Sequence, residues 1–200
     1  MASGELFWIA FGDIHGHTAN LARIPDLEKA RAVILTGDLT VKGGVREAGA
    51  VVEAVARRNP RVLAQIGNMD FLPVQAWLDE KGYGIHARAV ELAPGLGLVA
   101  AGWSTPTPFG TPSEAADEQI GQWLEAAYAQ ASGFDTLVLV SHTPPQGTRA
   151  DMLGSGAHVG SRAVREFIEK AKPALCITGH IHEARSVDRI GPTVVINPGE

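Results

Sequence analysis

The chain has 200 residues, 45% of them hydrophobic and 20% charged, with a mean hydropathy of +0.03, which suits one globular domain with a sizeable core. Its formal net charge of −5 and its scattered Lys and Arg leave no basic face, which disfavours a long nucleic acid partner but not a small phosphorylated one, because bound metals bring their own positive charge. The single cysteine, Cys176, excludes an internal disulfide framework and a thiolate zinc site; no stretch has the form of a signal peptide or a membrane span, so the chain reads as soluble and cytoplasmic.

Short runs rich in Val, Ile and Leu alternate with helical stretches. Leu6–Phe11 is followed by Gly12-Asp13, Ala32–Leu35 by Thr36-Gly37-Asp38, and Val62–Ile66 by Gly67-Asn68; later, Leu137–Val140 is followed by Ser141-His142 and Leu175–Ile177 by Thr178-Gly179-His180. Such runs read as buried strands. Helices are expected over Arg46–Arg58, closed by Pro60, over Glu114–Ala131, with Ser113 as its cap, and over Ser161–Lys172, stopped by Pro173. Ala89–Gly102, turning at Pro94-Gly95, and Ala184–Ile196, turning near Gly191-Pro192, read as antiparallel hairpins. The result is an α/β domain that is not purely parallel. Residues 103–112 and 143–160, rich in Pro and Gly, read as long loops, which in compact domains are usually functional.

The strand ends carry the chemistry. Asp13 and His15 follow the first strand, Asp38 the second, Asn68 and Asp70 the third, His142 a later one, and His180 and His182 the last core strand. Ligands of α/β sheets collect beyond the carboxyl ends of strands, so these residues are expected to share one crevice. Any one of them is weak alone: Asp-x-His is common, and Gly-Asp after a strand is often only a turn. As a set they place four of the seven histidines at such positions. Oxygen and imidazole ligands without thiolate suit Mn, Fe, Zn, Co or Ni, and seven side chains are too many for one ion but suit two sharing a carboxylate.

Asp13-x-His15, Gly37-Asp38, Gly67-Asn68-x-Asp70, Ser141-His142 and Gly179-His180-x-His182 stand in the order found in the calcineurin-like metallophosphoesterases, which this sequence resembles over essentially its whole length. Pro106-Thr107-Pro108-Phe109, Gly156–Ser161 and Gly179–Asp188 further resemble a bacterial and archaeal subgroup of these phosphoesterases. The resemblance implies a four-layer sandwich of two packed mixed sheets flanked by helices, in one domain spanning residues 1–200. It implies two divalent ions, manganese first among the candidates. Asp13, His15 and His182 would hold one, Asn68, His142 and His180 the other, and Asp38 would bridge them. A hydroxide between the ions would attack phosphorus in a small phosphoester.

Two departures from the family pattern matter. Many members carry His after the Gly-Asn pair, where this chain has Met69; a thioether neither binds phosphate nor protonates a leaving group. Phosphodiesters are therefore expected over alkyl monoesters, a Ser/Thr protein phosphatase is disfavoured, and Asp70, which normally orients that His, becomes structural. Members also usually continue beyond Asn-Pro-Gly, whereas Glu200 follows Asn197-Pro198-Gly199 directly, so an exposed strand edge is expected. His17, in the first loop, and His158, before a helix start that suits an anion, are candidate substrate contacts, while His86 reads as a surface or core residue. The competing readings are a scaffold of the same fold that has lost catalysis, and a nuclease.

Overall fold

The computed structural model describes residues 6–199. Residues 1–5, and Glu200 with the expectation attached to it, lie outside the described residues. Strands β1 (Ile9–Phe11), β2 (Val33–Leu35) and β3 (Val62–Ala64) form a small sheet in that order, all parallel. Strands β4 (Ala89–Ala93), β5 (Leu96–Ala101), β6 (Thr136–Ser141), β7 (Leu175–Ile177), β8 (Ser186–Ile190) and β9 (Thr193–Asn197) form a larger mixed sheet in the order β4-β5-β6-β7-β9-β8. Its two antiparallel pairs are the hairpins β4/β5 and β8/β9, and β5, β6, β7 and β9 run parallel. The last strand, β9, is thus covered on both sides, by β7 and β8, and the edges fall to β4 and β8.

The side-chain period of two sorts the core into three slabs. Ile34 and Leu63 from the small sheet meet Leu98, Ala100, Val138, Val140 and Ile177 from the large one, which fills the space between the sheets. The alternate residues Val33, Leu35, Val62 and Ala64 face helix α1 (Val45–Ala56) and helix α2 (Pro73–Glu80). Val99, Ala101, Leu139, Cys176 and Val195 face helix α3 (Asp117–Ala129) and helix α4 (Arg162–Ala171). The layers therefore run helices, small sheet, large sheet, helices. Among the described residues no helix is long and apolar enough to cross a membrane.

The helices differ from expectation in the start of α3 and in the presence of α2. α4 begins as expected, with the Ser161 hydroxyl accepting from Val164 N at 3.0 Å. The expected start of α3 at Glu114 is moved to Asp117, because Ser113 does not cap a helix. Its hydroxyl donates to the Asp70 carbonyl at 2.5 Å, and Ala115 N donates to Ser104 O at 2.8 Å, which holds residues 113–115 as an extended rib against the neighbouring loop. α2 was not expected. Pro73 occupies its first turn, where a missing N–H costs nothing.

Candidate metal centre

The carboxyl ends of both sheets open into one cleft. The small sheet delivers Asp13 and His15 after β1, Asp38 after β2 and Asn68 after β3; the large sheet delivers His142 after β6 and His180 and His182 after β7. Asp13 N donates to Gly37 O at 3.0 Å and His15 N to Asp38 O at 3.1 Å, which carries strand-like pairing past the strands and into the site. Across the sheets, His180 N lies 3.2 Å from both Asp13 carboxylate oxygens.

This convergence depends on glycine. A Cβ on Gly37, whose φ is +125°, would lie 2.6 Å from His142 Nδ1 and 2.8 Å from Gly67 Cα. A Cβ on Gly67 would lie 2.2 Å from Asp38 Oδ1. The loops after β2 and β3 touch backbone to backbone, with the His142 ring closing over them. Four of the side chains also sit on left-handed backbone: Asp13 at φ 51°, His15 at 47°, Asp38 at 49° and His180 at 70°. Such conformations cost non-glycine residues energy and gather at functional sites.

The side-chain atoms fall into two groups that share Asp38. Asp13, His15, Asp38 and His182 offer ligand atoms all within 4.8 Å of one another, and so do Asp38, His142 and His180. Asn68 Oδ1 joins the second group, 3.0 Å from His142 Nε2. His15 Nδ1 faces the Thr40 carbonyl at 3.2 Å and His142 Nδ1 the Thr36 carbonyl at 3.2 Å. A carbonyl only accepts, so each ring places its proton on Nδ1 and turns the Nε2 lone pair inward. There His15 Nε2 meets His182 Nε2 at 3.2 Å and Asp38 Oδ2 at 3.9 Å, and His142 Nε2 meets Asn68 Oδ1 and, at 3.5 Å, Asp38 Oδ1. Lone pairs aimed at one another need a proton or a cation between them. His180 Nδ1 is buried with no hydrogen-bond partner. This donor set of nitrogen and oxygen fits divalent metal ions.

The electrostatics agree. Burial pushes the His142 imidazole down, but the Asp38 carboxylate beside it wins and raises it to about 9. Burial pushes Asp38 up, yet the charge and hydrogen bond of His142 bring it below the usual carboxylate value. His180, buried and beside His142, falls to about 4. Asp70 is raised to about 6 by burial and by the Asp38 charge, against four donors: Leu39 N, Thr40 N, the Thr40 hydroxyl and Gly67 N, at 2.8–3.1 Å. It ties the Asp38 loop to the Asn68 loop and does not reach the cleft.

Met69 lines the cleft, and its backbone N–H donates to Asp38 Oδ1 at 2.8 Å. The two further histidines are placed elsewhere. The chain turns at Gly16 into a 3-10 turn over Thr18–Arg23, which leaves His17 exposed in a neighbouring hollow lined by Asp13, Asn20, Arg23 and Pro198. His158 Nδ1 is bound to the buried Asp151 at 2.8 Å; its neighbour Val159, not His158 itself, lines the cleft. His86 is a packed residue between Trp103 and Trp123, with ring centroids 4.2 and 4.6 Å away.

One relay was not visible in the sequence. Glu114 Oε1 accepts from the Thr107 hydroxyl at 2.7 Å, from Thr111 N at 2.7 Å and from the Thr111 hydroxyl at 2.5 Å. With its proton committed to Glu114, the Thr111 oxygen can only accept from Asn68 Nδ2, which lies 3.1 Å away. The Asn68 amide is thereby oriented with its oxygen toward His142. Lys42, which among the described residues is the one lysine or arginine lining the cleft, also lacked a motif.

Comparison with known proteins gives the family and the fold. A sequence model described as calcineurin-like phosphoesterase matches residues 9–184. An uncharacterized protein of Methanocaldococcus jannaschii, MJ1162, is 34% identical over 196 residues, 95% of this chain and 86% of that protein. Two crystal structures show the same fold at low identity. The protein TT1561 of Thermus thermophilus has a TM-score of 0.72 at 17% identity, over 96% of this chain and 88% of that one. A dimetal phosphatase from Danio rerio has a TM-score of 0.63 at 14% identity, over 96% and 86%.

Proposed function

The chain belongs to the calcineurin-like phosphoesterase family, and on that premise we propose that it is a metal-dependent phosphoric ester hydrolase, a single domain that cleaves a small phosphodiester. Asp13, His15 and His182 would hold one divalent ion, Asn68, His142 and His180 a second, and Asp38 would be shared. The observation that carries this reading is the pair of ligand groups meeting at Asp38. When bound, the ions supply a water-derived nucleophile and positive charge against the phosphoryl oxygens. Manganese is the first candidate, and the same donor set accepts iron, zinc, cobalt or nickel.

The chain's own part is placement. Thr36 and Thr40 fix the tautomers of His142 and His15, Glu114 and Thr111 fix the amide of Asn68, and Asp70 locks the loops that carry Asp38 and Asn68 together. Opposite them Met69 offers no proton to a leaving group. A diester carries one negative charge and needs less neutralisation than an alkyl monoester with its poor leaving group, so the site suits diesters. His17, which shares a hollow with Asp13, and His158, held by Asp151 next to the cleft residue Val159, stand as candidate substrate contacts to which this reading gives no step.

The test is a chain stripped by chelator and reloaded separately with Mn²⁺, Zn²⁺, Fe²⁺ and Mg²⁺, assayed on matched phosphomonoesters, phosphodiesters and cyclic nucleotides. Two ions per active chain and faster diester turnover are expected, with Asp38→Asn folded but inactive. A single tightly bound ion per active chain overturns the binuclear reading. Alkyl monoesters cleaved faster than matched diesters across several metals overturn the diester reading.

A further inference from the structure

The cleft above the metal ligands has a volume of about 650 Å³, the size of pockets that enclose a whole small organic molecule and larger than one phosphate needs. Its walls beyond the ligands are mainly apolar. One group comes from the loop carrying Pro106, Pro108 and Phe109; another is Leu153, Val159 and Ile181; Met69 lines the cleft as well. Among the described residues that line it, Lys42 is the only lysine or arginine and Asp38 the only carboxylate.

Phe109 is 80% exposed. A phenyl ring held so far into water normally marks an interaction site when it stands in a rimmed, concave apolar surface. The loop that holds it is braced: Phe109 N donates to the Thr107 hydroxyl at 3.2 Å, and Thr107 and Thr111, on either side, both donate to Glu114. The prolines on either side of Thr107 limit it further. The segment carrying Leu153 and Val159 is braced as well, by Leu153 N to Ala157 O at 2.9 Å and Val159 N to Asp151 O at 3.1 Å. Two rigid apolar walls facing one metal centre form a slot whose ordering cost is met before binding.

Resting on the phosphodiesterase reading above, we infer that the substrate is a phosphodiester bearing an aromatic or similarly flat apolar ester group, which lies in the slot between Phe109 and the Leu153–Val159 wall while its phosphate faces the metals. Beyond the metals, Lys42 is the one lysine or arginine among the described residues that line the slot, which disfavours polyphosphates and polyanionic chains.

The experiment holds the leaving group constant. Methyl p-nitrophenyl phosphate and phenyl p-nitrophenyl phosphate are compared with the metal-loaded protein, each rate divided by that ester's uncatalysed hydrolysis. Binding of methylphosphonate and phenylphosphonate is measured in parallel by calorimetry. Both esters carry a nitrophenyl group that suits the slot, so they read cleavage and the phosphonates read the ring: a phenyl group entering an apolar slot is expected to improve affinity by about tenfold or more. In Phe109→Ser and Leu153→Ser, both still carrying their metals and melting as the wild type does, that ratio is expected to fall toward about 1–3. Equal affinities for methylphosphonate and phenylphosphonate in active protein overturn the slot and leave the phosphodiesterase reading intact. If no ester is hydrolysed, that reading fails, and the phosphonate pair still decides the slot: equal affinities refute it. A phenyl preference that survives both serine variants also refutes it.

Discussion

Replacing Gly67 by alanine tests the close approach on which the site is built. The new Cβ would lie 2.2 Å from Asp38 Oδ1, 2.4 Å from Asp38 N and 2.6 Å from Cε1 of His142. Each neighbour would have to retreat by about 1 Å to reach ordinary van der Waals separation. Asp38 N is backbone, and the His142 ring is fully buried, so no rotamer change relieves the contact. Overpacking of this kind costs about 1–3 kcal/mol, and with two unyielding neighbours the upper figure, about 3 kcal/mol, applies. For a chain of 200 residues that is a fall in Tm of roughly 6–12 °C. A carboxylate displaced by about 1 Å also leaves the ~0.2 Å tolerance of coordination distances, so affinity for at least one ion should fall by about tenfold or more. The assay is thermal unfolding of metal-free and metal-loaded protein by circular dichroism, with metal counted by mass spectrometry. Gly133→Ala is the control, since its Cβ meets nothing within 4 Å and its φ is not positive. A Gly67→Ala protein that keeps two ions and melts within about 2 °C of the wild type would show that the loops after β2 and β3 are not packed as described.

Glu114→Gln and Thr111→Val should each free the Asn68 amide to rotate, lowering affinity for one of the two ions by about 10- to 100-fold with the other unchanged; equal loss of both ions, or of neither, would contradict the relay. In metal-free protein the folded value of His142, about 9, lies above its unfolded value near 6.5. The charged His142–Asp38 pair thus stabilises the fold fully below pH 6.5, and that contribution is lost as pH rises through 9. Because metal needs the neutral ring, metal affinity should climb about tenfold per pH unit between those values, and calorimetry in buffers of different ionisation enthalpy should show proton release; an affinity flat from pH 6.5 to 9 would refute this. Cys176 is buried and its thiol is pushed up by that burial, so a thiol reagent should label it only at the rate of unfolding, and prompt labelling of native protein would be inconsistent with the core between the large sheet and its helices.

How much of this was legible in the sequence depended on the range of the interactions. β7 lies at Leu175–Ile177 as its short apolar run suggests, and both hairpins turn where Pro94-Gly95 and Gly191-Pro192 place them. Asp13, Asp38, Asn68, His142 and His180 come together because strand ends mark them locally, and parallel pairing then sets those ends side by side. Ser113 misled because a hydroxyl before a helix resembles a cap, while its real partner is a carbonyl 43 positions earlier. Asn68 and Thr111 are also 43 positions apart, and no motif relates them. His17 shares a loop with His15, but a left-handed His15 followed by Gly16 reverses the chain between them. α2 hid because its eight residues include a proline and too few turns for an apolar period to emerge.

Two imidazoles that meet in the site, His15 and His182, stand 167 positions apart, and their sheets join through the apolar slab between them and the polar contacts around the site. A folding intermediate with either sheet alone would complete neither constellation: Asp13, His15, Asp38 and Asn68 without His142, His180 and His182, or the reverse. Ion capture would therefore come late, after the beginning and the end of the chain have been brought together. Ions that bind only the finished arrangement would lower the population of opened forms by mass action, so that, beyond its chemistry, the centre would act as the clasp on a fold whose two sheets are joined along the chain by the segment between β3 and β4.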